Sequence, residues 1–160
     1  MPKVLYLLRH AKSSWKDISL KDFDRPLNKR GKHDAPFMAE KMSHMDIHPE
    51  IIISSPAKRA KKTAKIFATT LNTELQLEES LYAAGIDTMT GLIQKAFEQY
   101  DEVMIVGHNP ELTLLNDLLS DKEIFNIPTT GIVAISFPDN TLKKGKQLFY
   151  YFPKAFGESQ

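Results

Sequence analysis

Three short aliphatic runs place the strongest constraint on how this chain can fold. They lie at Val4–Leu8, Glu50–Ile53 and Val103–Val106. A strand that is apolar on both faces must be covered on both faces, as happens when a parallel or mixed sheet lies between two layers of helices. The three runs therefore predict central strands of an α/β fold.

Helix signals separate these runs. The predicted helices are Asn28 to about Met42, Ser55-Pro56 to about Leu71, about Asp87 to Tyr100, and one that begins at Asn109-Pro110. In the second and fourth of them, a capping Ser or Asn precedes a proline, which favours the first helical position. Pro36 predicts either a kink in the first helix or a delayed start.

Two β-prone runs lie near the end of the chain, at Ile132–Phe137 and Gln147–Phe152, and turn-forming residues separate them. They predict a hairpin. Strands that alternate with helices and finish in a hairpin predict a three-layer α/β/α sandwich around a central, mostly parallel (mixed) sheet. Because 160 residues suit one hydrophobic core, residues 1–160 are predicted to form a single domain.

Composition removes several classes of function. The chain has no cysteine, which excludes disulfides, thiolate nucleophiles and cysteine-ligated zinc. Its formal net charge of +1 gives no support for nucleic-acid binding, and no apolar stretch approaches the ~20 residues of a membrane span. Since Val4–Leu8 is too short for a signal peptide, we expect a cytoplasmic protein that binds neither nucleic acid nor membrane. A monomer is the default expectation.

Arginine and histidine side chains follow each central run. Arg9 and His10 follow the Val4–Leu8 run, and His108 follows the Val103–Val106 run. Arg59 lies in the first turn of the helix that is predicted after the Glu50–Ile53 run. If the strands are parallel neighbours, their carboxyl ends bring these four side chains into one crevice, beside helix N-termini that favour anions. Arginine binds phosphoryl oxygens bidentately and keeps its charge, so two guanidiniums beside two imidazoles predict a phosphate site.

These segments resemble a known family. Their order and spacing are similar to those of the histidine phosphatase superfamily, the phosphoglycerate-mutase-like enzymes, at Leu8-Arg9-His10-Ala11, Ser54-Ser55-Pro56 with Arg59-Ala60, and Gly107-His108-Asn109-Pro110. Further segments resemble the small SixA-like phosphohistidine phosphatase branch: Lys12–Trp15, Asp24–Asn28, Leu81-Tyr82 and Pro128-Thr129. The resemblance covers nearly the whole chain and implies a phosphoglycerate-mutase-like fold, and a phosphatase that needs no cofactor and no metal.

The resemblance also implies a role for each central residue. His10 is the nucleophile, which carries the phosphoryl group as a phosphohistidine intermediate. Arg9 and Arg59 clamp the phosphoryl oxygens, and His108 is a second imidazole in contact with them. The chemistry is reasonable, because a neutral imidazole is a good nucleophile near neutral pH and its phosphoramidate is labile to water.

Four more residues are candidates for the site. Ser13, Trp15 and Asn109 are expected to bind the substrate, although Trp15 has an alternative role as an anchor of its own loop. Glu79 lies three residues ahead of Tyr82, where many relatives carry a carboxylic general acid. An exposed loop carboxylate explains Glu79 equally well, and both interpretations stay open.

A histidine cluster offers a competing metal site. His44 and His48 have the i,i+4 spacing of a helical metal pair, and His33 is a third imidazole in the sequence. However, Pro49 disfavours helical geometry at His48, and the His-Glu-x-x-His motif is missing. Solvated histidines without a metal are therefore the preferred interpretation.

Two charged segments have structural explanations. Asp22 and Asp24 precede Arg25 in a loop, and capping or pairing with that arginine would hold the loop in place. The lysines of the second helix are predicted to form its solvated face, with docking of a phosphorylated partner protein as the alternative. These are Lys58, Lys61, Lys62 and Lys65.

The expected substrate is a phosphorylated protein, in particular one that carries phosphohistidine, or else a small phosphorylated molecule. A general small-molecule phosphomonoesterase is the alternative function within the same fold. A catalytically silent phosphate-binding or phosphoprotein-binding module is the alternative of another class, and it is disfavoured because all four central residues are present. A sugar-phosphate mutase is disfavoured because a short chain spares few residues for a lid that excludes water.

Overall fold

The computed structural model describes residues 2–157 of the chain. The strands are β1 Lys3–Arg9, β2 Ile51–Ser54, β3 Glu74–Leu77, β4 Glu102–Gly107, β5 Ile132–Phe137 and β6 Lys146–Tyr151. The α-helices are α1 Lys29–His44, α2 Lys58–Leu71, α3 Ile86–Ala96 and α4 Glu111–Leu119, and short 3-10 turns lie at Asp22–Asp24, Glu79–Leu81 and Pro153–Phe156.

The strands form one mixed sheet in the order β3-β2-β4-β1-β5-β6. The first four strands in this order are parallel, whereas β5 runs antiparallel to β1 and forms an antiparallel pair with β6. The three central strands predicted from the aliphatic runs are therefore parallel neighbours, and their carboxyl ends share one edge of the sheet. The predicted hairpin is also confirmed.

Helices cover both faces of the sheet. Successive side chains of a strand point to opposite faces, so Leu5 and Leu7 of β1 pack with α3 and α4, while Tyr6 and Leu8 pack with α1 and α2. The three leucines are fully buried, and each contributes ~1.5–3 kcal/mol through burial. These two cores confirm the predicted α/β/α sandwich.

Two helices begin later than predicted. Ala57, not Ser55, precedes α2, and no side chain caps that helix; the Ser55 hydroxyl instead accepts the Ala57 N–H at 3.2 Å and contacts His108. Pro110, not Asn109, precedes α4, and the Asn109–Pro110 peptide is cis. The predicted Ser55 cap was wrong, because that hydroxyl bonds Ala57 and His108 and does not reach the first turn of α2. The Asn109 side chain does bond the first turn of α4, since its Oδ1 accepts the Thr113 N–H at 3.2 Å, although the helix begins only at Glu111.

Other boundaries differ for local reasons. The predicted cap Asn28 is confirmed, since its Oδ1 accepts the Gly31 N–H at 2.8 Å, and α1 begins directly after it with Pro36 inside the helix. The third helix ends at Ala96, four residues before the predicted Tyr100, because tight turns then lead into β4. Sequence patterns missed β3, a short edge strand whose side chains are exposed or half-buried.

Two broader expectations concern the whole chain. Residues 1 and 158–160 of the predicted single domain lie outside the described residues, and the one-domain organisation stays a prediction. Across residues 2–157, no helix combines the length and the apolarity that are needed to cross a membrane.

Candidate active site

A crevice of about 360 Å³ lies beyond the carboxyl ends of β1, β2 and β4. Its lining consists of Arg9, His10, Lys12, Ser13, Trp15, Asp22, Arg25, Arg59, His108, Asn109 and Thr129. Seven of the eight residues predicted for the site are among them, and the eighth, Glu79, is not. The fold therefore brings side chains from distant parts of the chain to one place.

His10 directly follows β1, and its backbone N–H donates to the Gly107 carbonyl at the end of β4 at 3.1 Å. Its imidazole Nδ1 lies 2.7 Å from the Ala11 carbonyl oxygen. Because a carbonyl only accepts, Nδ1 carries the hydrogen and Nε2 keeps its lone pair. Burial, opposed by the Ala11 bond and reinforced by His108 and two arginines, lowers the pKa of His10 to about 3. The ring is therefore neutral near pH 7.

His108 follows β4 and faces His10, with 5.2 Å between the ring centroids. Its Nε2 lies 2.8 Å from the Ser55 hydroxyl, which holds the ring in place, and the Tyr82 ring packs against it edge-on. Burial, followed by the charge of Arg59, lowers the pKa of His108 to about 4. The crevice thus contains two imidazoles that are neutral near pH 7.

Two guanidiniums stand beside these imidazoles. Arg9 donates from Nη1 to the Ile127 carbonyl at 2.9 Å, and burial together with the charge of Arg59 lowers the pKa of Arg9. Arg59 is 6% exposed and lies in the first turn of α2. Since its charge also lowers the pKa of His10 and His108, the crevice disfavours additional positive charge. Such a site attracts anions.

Asp22 lines the crevice from the 3-10 turn before α1. The sequence analysis did not predict it as a residue of the site. Its carboxylate accepts hydrogen bonds from Arg59 Nη2 at 2.9 Å, Arg25 Nη1 at 2.9 Å and the Tyr82 hydroxyl at 2.8 Å. Partial burial acts to raise the pKa of Asp22, but the bonds from Tyr82, Arg59 and Arg25 lower it to about 2. The predicted pairing with Arg25 is present, and Asp22 is ionised and also engages Arg59.

Trp15 both lines the crevice and anchors its loop. The guanidinium carbon of Arg25 lies 3.3 Å from the centroid of the Trp15 ring, and Arg25 Nη2 donates to the Ser13 hydroxyl. Although one ring face is covered, 73% of Trp15 is exposed. The two roles that the sequence left as alternatives coexist.

Polar side chains around the crevice bind one another as well. Asn109 donates from Nδ2 to Asn126 Oδ1 at 3.1 Å and to the Ile127 carbonyl at 2.9 Å, which uses both amide hydrogens. Thr63 of α2 accepts the Ala11 N–H at 3.0 Å and donates to the Arg59 carbonyl at 2.8 Å. Asn109 is thus held by internal bonds, and its role in substrate binding stays a prediction.

Two groups of predicted residues lie elsewhere. Glu79 is exposed in a 3-10 turn outside the crevice, and its role as a general acid stays a prediction. His33 stacks on Phe37 with 5.9 Å between the ring centroids. In the described part of the chain, no group of three or more His, Cys, Asp or Glu is placed to hold a metal ion, so the three-histidine cluster is not assembled.

Comparison with known sequences identifies the family of this chain. The model of the histidine phosphatase superfamily (branch 1) matches residues 5–137. An uncharacterized chloroplastic protein of Arabidopsis thaliana is 36% identical over 131 residues, which cover 75% of this chain and 60% of that protein. Phosphoserine phosphatase 1 of Hydrogenobacter thermophilus is 33% identical over 101 residues, which cover 61% of this chain and 47% of that protein. The chain thus spans less than two thirds of the length of both relatives.

A solved structure extends the likeness to the whole fold. It is that of a protein from Agrobacterium tumefaciens named as a candidate phosphohistidine phosphatase SixA, which is 29% identical to this chain with a TM-score of 0.80. The match covers 96% of this chain and 99% of that chain. The observed sheet and helices are therefore those of a SixA-like structure.

Proposed function

This chain belongs to the histidine phosphatase superfamily (branch 1), and from that premise we propose that it hydrolyses a phosphoryl group by way of phospho-His10. The proposed substrate is a protein that carries phosphohistidine. One observation carries the proposal: the Nδ1–H of His10 is engaged by the Ala11 carbonyl, so that Nε2 presents a lone pair among two arginines and a second imidazole.

In the first step, Nε2 of His10 attacks phosphorus and a new N–P bond forms. The bond from phosphorus to the leaving nitrogen or oxygen breaks, and the leaving group keeps the electron pair. A protonated imidazole leaves as the neutral ring, whereas a leaving oxygen takes up a proton from water. Arg9, Arg59 and His108 hold the phosphoryl oxygens, and the guanidiniums stabilise charge on them in the transition state. A nitrogen leaving group needs little help from an acid when it is already protonated, which suits a site whose nearest carboxylate, Asp22, is ionised.

In the second step, water attacks the phosphorus of phospho-His10. The N–P bond breaks, inorganic phosphate leaves, and His10 returns to its neutral form with the hydrogen on Nδ1. The division into two steps replaces one difficult displacement by two easier ones. The Ala11 carbonyl keeps the same ring nitrogen available in each cycle.

The direct test replaces the nucleophile. His10→Ala should lose essentially all turnover of a phosphohistidine protein and of p-nitrophenyl phosphate, while its circular dichroism spectrum stays that of a folded protein. Brief exposure of the wild type to a ³²P-labelled substrate should leave acid-labile label on the protein, and the variant should carry none. Full activity in the variant would refute the proposal.

Metal independence is a separate prediction of the same chemistry. The wild type should keep its rate after treatment with EDTA, because both steps use only side chains and water. Loss of the rate with EDTA and its recovery on addition of zinc would contradict this mechanism and favour a metallohydrolase.

A small-molecule phosphomonoesterase is the second candidate, favoured by the 33% identity to a phosphoserine phosphatase. It would use the same steps with an oxygen leaving group. Rates on a phosphohistidine protein and on a panel of small phosphoesters, with His10→Ala as the blank, distinguish the two candidates. Tight binding of vanadate without turnover of any of these substrates would instead indicate a silent binding module.

A further inference from the structure

A lysine-rich groove leads from the crevice along α1 and α2. It consists of two adjoining depressions of about 1150 Å³ and 460 Å³. The larger shares Lys12 and Trp15 with the crevice, and the smaller shares Leu27 and Lys32 with the larger. We name this surface the basic groove, because nine basic side chains line it: Lys12 and Lys16, three within residues 29–32, and the four lysines of α2.

The basic groove is strongly positive, although the whole chain is nearly neutral. No aspartate or glutamate is among the residues that line the two depressions. The chain has 21 basic and 20 acidic residues, so the part outside the groove retains twelve basic residues against all 20 acidic ones. Only Arg30, which contacts Asp34, has an ion-pair partner among residues 2–157; the eight lysines have none within 4.0 Å. The positive charge is therefore free to attract an anion.

Several lysines of the basic groove lie at helix N-termini, where a positive charge is electrostatically unfavourable. Both α1 and α2 begin with basic residues and have no acidic residue in the first turn. The N-terminus of a helix carries partial positive charge, so acidic side chains stabilise it and basic ones destabilise it. Lysines at these two helix N-termini increase the positive potential of the basic groove and make the helices less stable. A need for solubility alone would not require lysines at these positions.

We propose that the basic groove docks an acidic surface of the phosphorylated protein whose phosphoryl group enters the crevice; this inference rests on the proposed function. A small phosphorylated molecule would occupy the crevice and leave the α2 lysines unused. A protein offers carboxylates for the lysines, and the exposed ring of Trp15 at the junction supplies the aromatic contact common in protein interfaces.

Other polyanions fit the groove less well. Single-stranded nucleic acids bind through stacking on several aromatic faces, whereas Trp15 is the one aromatic side chain among the residues lining the two depressions, and Arg25 covers one of its faces. A surface that binds an anionic membrane carries several apolar anchors beside its basic side chains, whereas Trp15 is the one exposed large apolar side chain among the residues lining the two depressions. An acidic protein is therefore the proposed occupant.

The test compares two phosphohistidine peptides that differ only in having glutamates or glutamines beside the phosphohistidine. For the wild type, kcat/KM should be about tenfold higher on the glutamate peptide at low salt, and the difference should shrink as salt screens the charges. Fluorescence anisotropy of the labelled, unphosphorylated peptides measures docking without turnover. This binding measurement separates the docking proposal from the phosphatase proposal, which depends on the loss of activity in His10→Ala.

Charge-reversal variants locate the effect. Lys62→Glu/Lys65→Glu changes two exposed lysines of the groove outside the crevice, and should abolish the preference for the glutamate peptide while leaving p-nitrophenyl phosphate turnover unchanged. The matched control is Lys143→Glu/Lys144→Glu, which makes the same charge change in the β5–β6 turn at the opposite end of the sheet and should keep the preference.

Three results would overturn the docking proposal. The first is equal affinity of the wild type for the glutamate and glutamine peptides at low salt. The second is equal loss of affinity in the groove variant and the β5–β6 control variant. The third is tighter binding of a single-stranded oligonucleotide, or of phosphatidylserine vesicles, than of the glutamate peptide at physiological salt.

Discussion

At the scale of single residues, one main-chain carbonyl determines how His10 can react. The Ala11 oxygen accepts from Nδ1 at 2.7 Å, which directs the lone pair of the imidazole to Nε2. Burial, followed by the charges of His108 and the two arginines, lowers the pKa of His10 and so disfavours protonation of that nitrogen. The nucleophile is thereby kept neutral by its surroundings and is oriented without an acidic partner.

Asp22 provides a prediction at the same scale. Its carboxylate engages Arg59, the arginine proposed to bind the phosphoryl oxygens, and would repel a phosphoryl dianion. Asp22→Asn keeps an oxygen for the arginines but removes the charge, so it should tighten competitive inhibition by vanadate about three- to tenfold, since charge interactions near a protein surface are of this size. Steady-state kinetics with p-nitrophenyl phosphate gives the inhibition constant.

Asp24→Asn is the matched control for Asp22→Asn, because Asp24 lies in the same 3-10 turn but outside the lining of the crevice. It should leave the inhibition constant unchanged. Weaker inhibition in Asp22→Asn would show that this carboxylate orients Arg59 for binding and does not compete with the ligand.

At the scale of elements, the start of α1 supports the loop that carries the nucleophile. The backbone N–H of Asn28 donates to the Lys12 carbonyl at 3.0 Å, and a Cβ at Gly31 would overlap that same carbonyl oxygen. Thr63 of α2 ties the loop from the other side through the Ala11 N–H. The geometry at His10 therefore depends on the close approach of two helices.

Gly31→Ala should consequently affect stability and activity together. Backbone must move to relieve the overlap with Lys12, which costs about 1–3 kcal/mol of unfolding free energy, and the moved loop should lower kcat on p-nitrophenyl phosphate. Urea denaturation and steady-state kinetics measure the two effects. Gly91→Ala in α3 is the control, since a Cβ there meets open space and should leave activity unchanged. Equal behaviour of the two variants would contradict this packing argument.

At the scale of the whole molecule, the buried neutral histidines make stability depend on pH. The pKa of His10 is about 3 in the folded chain, below its unfolded value of about 6.5. Above about pH 6.5 both states are neutral, and the stability associated with this group is fully present. As the pH falls below that value, only the unfolded state gains the proton, so stability is lost toward the folded pKa.

The wild type should therefore lose about 1–2 kcal/mol more unfolding free energy than His10→Gln between about pH 6.5 and 5. Urea denaturation at a series of pH values measures the difference, and the glutamine keeps a side chain that does not titrate. Parallel pH profiles for the two proteins would show that His10 titrates normally in the folded chain.

The sequence by itself determined the layered fold, because period and apolarity report local burial directly. Val4–Leu8 and Val103–Val106 identified strands that are covered on both faces, and Ile132–Phe137 matched β5 at both ends. The edge strand β3 was missed, since its half-exposed side chains have no strong apolar pattern. His10 was a candidate because it directly follows such a strand, and Arg59 because it lies in the first turn of the helix that comes next after another one.

Only the tertiary structure decided which other side chains meet them. Asp22 lines the crevice, Tyr82 holds its carboxylate, and Thr63 holds the loop after His10 through the Ala11 N–H. The alternative roles of Trp15 coexist because of Arg25. From the sequence, the lysines of α2 were predicted to form a solvated helix face. In the structure α1 packs beside α2, and these lysines form one side of a groove. Contacts between distant segments depend on how the layers pack, and no local sequence pattern shows which distant segments become neighbours.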